Sequence, residues 1–227
     1  SLEIGGVRVI SSQRSIKKLK IGQLIGNHFV VRIRNSQLDL QELEENWLKL
    51  CGTGVPNYFG AQRFGHGYQN VEKGMDWLMG RGKAQRQQQS IYLSAVRSYL
   101  FNMLLADRIK QNSWTQLIEG DFVQFTQGKA GFYCEQVAEE DKRRCIEGLV
   151  SPCASLPGDS RDEFTLLDQR EEGVLSEFSD VIDALRGRRV SRHFRKLRLF
   201  PEQASFSVEE GDPVFSFVLP AGSCATA

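Results

Sequence analysis

The chain has 227 residues, 41% of them hydrophobic and 25% charged, with a formal net charge of +1. That balance describes a globular protein large enough for one sizeable core or two small domains, and it excludes a uniformly basic nucleic-acid binder: any such surface must come from segregated charge. No apolar run approaches membrane-spanning length and no basic-then-apolar leader opens the chain, while five cysteines (Cys51, Cys134, Cys145, Cys153, Cys224) without CxxC spacing read as reduced thiols of a cytosolic protein and argue against a zinc site.

Residues 6–10 (GVRVI) and 28–34 (HFVVRIR) are rich in β-branched side chains, lie between Gly5, Gly26 and Asn35, and predict strands. Between them Arg14, Lys17, Lys18 and Lys20 form a run without a nearby acid. Such a run either tracks a phosphate backbone or makes a solvated loop face. Residues 37–51 set Leu40, Leu43, Trp47 and Leu50 at helical spacing opposite Glu42, Glu44 and Glu45, with Gly52 as the stop; Trp47 reads as core.

The stretch GTGVPNYFGAQRFGHG at 52–67 is the one around which the rest is organised. It concentrates Gly52, Gly54, Gly60, Gly65 and Gly67 beside Tyr58, Phe59, Phe64 and Arg63. Glycine permits close backbone approach to a ligand, and aromatics with an arginine can stack on a base and hold a phosphate. The competing reading is a tight connection in which Phe59 and Phe64 plug the core. His66 lies on the same stretch and, of His66 and His28, is the one placed for acid–base work.

A helix over 69–79 carries Val71, Met75, Leu78 and Met79 on one side and ends at Gly80. The polar stretch 80–90 (GRGKAQRQQQS) reads as a hinge and domain boundary, followed by a helix over 91–110 with Leu93, Val96, Leu100 and Leu104 in phase. On that helix Arg97 is either a structural ion-pair residue or a phosphate ligand. Residues 121–135 alternate around TQGKA as a hairpin. From 139 to 183 the chain is strongly acidic, a segment that repels RNA and is expected to face solvent. The sign then reverses: Arg186, Arg188, Arg189, Arg192, Arg195, Lys196 and Arg198 fall within 186–198 without an acid, which points to RNA contact, or to a basic helix that pairs with the acidic segment beside it. The chain closes with strand-like KLRLF, ASFSVEE and PVFSFVLP.

The run VPNYFGAQRFG resembles the second conserved motif of the TruD family of tRNA pseudouridine synthases, and RSIKKLKIGQLIGNHFVV, LSAVRSYLFN and LPAGSCAT agree in the same order. The resemblance implies an α+β fold: a pseudouridine-synthase-type mixed sheet domain (1–82 and 199–227) interrupted by an inserted α+β domain (83–198). It implies isomerisation of a uridine in tRNA, in the cytoplasm, with no cofactor or metal and an aspartate nucleophile in a KD-containing motif upstream of residue 1, the chain looking cut at both ends. No residue here is named catalytic; Glu3 and Asp39 sit in nothing like that motif. By the same resemblance Asn57 contacts the uracil edge, Phe59 lines the base pocket, and Cys224 stands where an aromatic is usual. Arg14, Lys17, Lys18, Lys20, Arg63, Arg189 and Arg192 are the expected RNA-backbone contacts. Nothing in the sequence demands more than a monomer. The alternative reading is a catalytically inactive RNA-binding module or fragment.

Overall fold

The computed structural model describes residues 3–4, 7–8, 11–14, 16–18, 26–128, 130–160, 165–220 and 223. In chain order the elements are β1 (Glu3–Ile4), β2 (Val7–Arg8), β3 (Gly26–Arg32), α1 (Leu40–Thr53), β4 (Val55–Pro56), α2 (Gln69–Leu78), α3 (Arg86–Lys110), β5 (Phe122–Phe125), β6 (Gly131–Tyr133), α4 (Glu139–Ile146), β7 (Val150–Leu156), α5 (Leu166–Val174), α6 (Ser179–Gly187), β8 (His193–Lys196), β9 (Arg198–Leu199), β10 (Glu202–Glu209) and β11 (Asp212–Pro220). The fold is α+β. Where one strand was expected over 6–10, β1 and β2 pair as a short antiparallel ribbon; residues 6, 9 and 10 lie outside the described residues.

Strands from the two ends of the chain share one antiparallel sheet in the order β10-β11-β3. Phe29 faces Phe217 across it, the rings 5.6 Å apart and stacked. Trp47 of α1 lies on the same aromatic face, 5.1 Å from the Phe215 ring and 5.5 Å from Phe217, so it packs on the sheet, half-buried and outside the main core. The rest of α1 is less covered than its spacing suggests: Leu48 is 63% exposed and Leu50 41%. The helix opens on Asp39, whose carboxylate accepts the Glu42 N–H. Because that side chain satisfies a donor with no partner inside the helix, Asp39→Ala is expected to cost about 1 kcal/mol, read as a lower urea midpoint at unchanged slope. The stop is Gly54 and not Gly52: at φ 79° its N–H donates to Leu50 O, a conformation that favours glycine.

A second antiparallel sheet, β6-β5-β7-β8, belongs to the middle of the chain and includes the expected hairpin. Its β7 packs on α3, and the main core gathers Leu78 of α2, Val96, Leu100, Phe101, Leu104 and Leu105 of α3, Ala154, Leu185 and Leu197. Thus α2 shares a core with residues beyond position 82. The hinge expected over 80–90 is shorter, because α3 already begins at Arg86, where the Gln88 side chain accepts the Gln85 N–H. Glutamine and arginine are good helix formers, so polarity alone does not mark a loop there.

Arg97 of α3 proves structural, though not through a carboxylate: its guanidinium donates to the carbonyls of Leu156, Pro157 and Ser191, and burial holds its pKa below the usual arginine value. Cys134, Cys145 and Cys153 are buried thiols and Cys51 is half-buried; burial pushes all four up from the ordinary thiol value, which disfavours the thiolate form. Among the described residues no helix is long and apolar enough to cross a membrane.

Candidate nucleic-acid interface

The glycine-rich stretch leaves α1 through β4, which pairs with β9, so residues 55–59 run against the segment 195–199. The Asn57 N–H donates to Leu197 O at 2.9 Å. Two 3-10 turns, Ala61–Phe64 and His66–Tyr68, carry the chain on to α2. Between them Gly65 has φ 74°, and a Cβ there would stand 2.8 Å from the Asn70 amide, so the turn requires glycine. Phe64 is a core plug, 2% exposed and stacked on Tyr68 at 5.2 Å. Burial raises the Tyr58 pKa.

Phe59 is different. Its peptide groups are held by one side chain of α3: Asn102 accepts the Phe59 N–H and donates to the Phe59 carbonyl, both at 2.9 Å. Its ring meets Phe101 edge-on at 5.6 Å, and the Arg195 guanidinium carbon lies 3.9 Å from its centroid. The same Arg195 donates from Nε to the Asn57 carbonyl and from Nη2 to Asn57 Oδ1, while Asn57 Nδ2 donates to Lys196 O. Asn57 is therefore buried and engaged at both ends of its amide. Lys196 spans the strand to the hairpin turn, donating to the carbonyls of Thr126 and Gly128; burial lowers its pKa.

Two clefts flank this arrangement. One, of about 610 Å3, is lined by Phe59, Gly60, Arg63, Asn70 and Ser94. The other, of about 470 Å3, is lined by Asn57, Thr126, Arg195, Lys196 and Phe200. Ser223, from the closing LPAGSCAT stretch, borders both. Cys224 lies outside the described residues. Arg63 is exposed, donates to Ser94 Oγ at 3.1 Å and lies 5.6 Å from the Phe59 ring. Among described residues lining these clefts the one carboxylate is Glu202. The surfaces offer amide, hydroxyl, guanidinium and ammonium groups beside aromatic rings, a set suited to bases and phosphates.

The remaining expected contacts divide. Arg14, Lys17 and Lys18 are exposed; Lys20 lies outside the described residues. Arg189 is exposed at the end of α6 with φ 54°. Arg192 is the correction: its side chain is only 9% exposed, with Nη1 paired to Asp168 and the guanidinium 4.6 Å over the Phe194 ring, so it faces inward and not toward an RNA backbone at the surface. Other members of the basic run also have partners within the protein, although Arg186 and Arg188 stay exposed. Arg186 pairs with Glu172 and Asp183, Arg188 sits on Trp77, and buried Arg198 donates to the carbonyls of Cys145 and Val150. The acidic segment is likewise not all solvated, since Asp168 and Glu171 turn inward. His66 is exposed, and His28 Nε2 lies 2.7 Å from Ser216 Oγ on the sheet, away from the motif stretch.

Sequence reasoning missed Arg195 and Asn102. The signal for Asn102 lay in LSAVRSYLFN; Arg195 was hidden among six other cations.

The family model of tRNA pseudouridine synthase D (TruD) matches residues 1–73 and 68–227. Over 230 residues the chain is 39% identical to the tRNA pseudouridine synthase D of Photobacterium profundum, covering 97% of this chain and 63% of the relative. It is 36% identical to that of Legionella pneumophila strain Corby, covering 100% and 68%. The chain thus spans about two thirds of the length of these relatives. A solved Methanosarcina mazei structure assigned to the same class, 21% identical, superposes with a TM-score of 0.65 over 94% of this chain and 70% of that one, showing a shared fold. This chain belongs to the tRNA pseudouridine synthase D (TruD) family.

Proposed function

We propose that the protein carrying this chain isomerises a uridine of tRNA to pseudouridine, breaking the glycosidic bond, turning the base and rejoining it through carbon, without cofactor or metal, as a cytoplasmic enzyme. The observation that carries the reading is the family's own motif stretch, 55–65, folded between two clefts that meet at Ser223 of the closing motif. The reaction needs the target base out of its stack; the cleft lined by Phe59, Gly60, Arg63 and Asn70 supplies a recess of aromatic and amide groups for it, with Asn57 lining the neighbouring cleft. Arg14, Lys17, Lys18, Arg63 and Arg189 are proposed to hold the RNA backbone, with Lys20 beside them in sequence and Cys224 at the substrate. Residues 1–82 with 199–227 form the catalytic unit and 83–198 the inserted one. No carboxylate in this chain is assigned as nucleophile.

The test is tritium release from tRNA labelled at uridine C5, using the full-length protein with chelator present. Release is expected, together with tRNA binding whose affinity falls steeply with salt. Salt-dependent binding without release would favour the RNA-binding module. Neither binding nor release would remove both readings.

A further inference from the structure

We infer that Arg195, which no motif of the resemblance contains, is the positioning residue of the motif stretch, and that Asn57 and Phe59 act through the place Arg195 gives them. The inference rests on the pseudouridine synthase reading above. Three contacts reach the motif from one guanidinium: Nε to the Asn57 carbonyl at 3.1 Å, Nη2 to Asn57 Oδ1, and a stack on Phe59 at 3.9 Å. The planar fork holds the backbone carbonyl and the side-chain Oδ1 of Asn57 at once, a fixed two-point geometry that an ammonium point charge does not supply. The stack covers one face of Phe59, so that ring is not a bare platform for a base. It is instead half of a ring–guanidinium pair whose cation lines the second cleft. Asn102 holds the Phe59 peptide from α3, so residues 57–59 hang between two elements of the 83–198 segment. The motif geometry is thereby set by the second unit of the chain and not by the sheet that delivers it.

Arg195→Lys keeps the charge and loses the fork and the flat stack. In the full-length protein, at unchanged melting temperature, it is expected to lower kcat for tritium release at least tenfold while tRNA affinity stays within about twofold. Asn57→Ala is expected to lower kcat in the wild-type background and to add little on top of Arg195→Lys. A purely structural role would instead lower the melting temperature and leave kcat per folded molecule intact; that result, or full additivity of the two changes, overturns the inference. A loss of tRNA affinity equal to the loss in kcat/KM at constant kcat also overturns it, making Arg195 a direct RNA ligand. If the wild-type protein releases no tritium, the functional reading fails on its own. Amide exchange at residues 58–60 then judges the clamp, with protection lost in Arg195→Lys expected and protection retained decisive against it.

Discussion

Asp121→Ala is expected to destabilise the fold by about 3–5 kcal/mol, the range for removing one partner of a buried ion pair. Asp121 is fully buried. Its Oδ1 accepts from Arg108 Nη1 at 2.8 Å and from Arg170 Nη2 at 2.6 Å, and its Oδ2 accepts from Arg108 Nη2 at 3.1 Å and from the Ile118 N–H at 2.9 Å. Two guanidiniums converge on one carboxylate, so its loss leaves like charges facing each other in low dielectric. Arg170 is one-third exposed and can turn to water. Arg108 is 10% exposed and is also tied to the carbonyls of Ser113 and Gln116, so the uncompensated charge falls on it. Asp121→Asn keeps the shape and one acceptor and is expected to lose less than the alanine variant. Urea unfolding checks both; for a chain of this size the alanine variant corresponds to a fall in melting temperature of about 10 °C. A loss below about 1 kcal/mol would mean that water reaches the cluster and already carries most of its charge.

The same cluster shows where sequence reading stops. Periodicity placed α2, most of α3 and the hairpin, because the side chains that define those elements are neighbours in sequence. The sharing of one sheet by both chain ends was implied by the family resemblance and agrees with the strand-like runs at either end. What pairs with a charge is not local. Asp168 and Arg192 are 24 residues apart, Asp121 and Arg170 are 49, and Asn57 and Arg195 are 138. A run of seven cations therefore looked like a phosphate track, whereas Arg195, Lys196 and Arg198 of β8 and β9 donate to carbonyls of the protein and the acidic segment supplies partners for Arg186 and Arg192. The bland alternative weighed for that run, pairing with the acids beside it, describes Arg186 and Arg192, although the run forms a helix end and strands and not a helix.

The candidate site was legible at the level of the stretch and not of the atoms. Glycine spacing located the tight loop, and Gly54 and Gly65 do take positive φ. The two readings of its aromatics both occur: Phe64 plugs the core, and Phe59 stands at a cleft. Nothing in VPNYFGAQRFG says that its asparagine is buried, since that depends on Lys196 and Arg195 arriving from the far side of the inserted segment.

Glu171→Gln is expected to leave stability unchanged near pH 4.5 and to raise it by about 3 kcal/mol above pH 8. Glu171 of α5 is buried against β7, accepting the Ser155 N–H at 2.8 Å and meeting Ser155 Oγ. Burial pushes its carboxyl up to about 7, against the lowering pull of both Ser155 hydrogen bonds and of Arg192; Asp168 adds a small push upward. The unfolded chain gives up that proton near pH 4.3. Between the two values the folded state holds the proton and the unfolded state does not, so stability falls as pH rises. The contribution is fully present below about pH 4.5 and is lost as pH rises through 7, a span worth about 3 kcal/mol at 1.36 kcal/mol per unit. Glutamine mimics the protonated form, its carbonyl accepting the Ser155 N–H and its amide donating to Ser155 Oγ, and it does not titrate. Comparing wild type and variant by urea unfolding from pH 4.5 to 8.5 cancels the other carboxylates, whose titration is common to both. If Glu171→Gln is instead less stable than wild type at pH 8, the carboxylate is ionised in the folded protein and is held by Arg192, the cation already paired with Asp168.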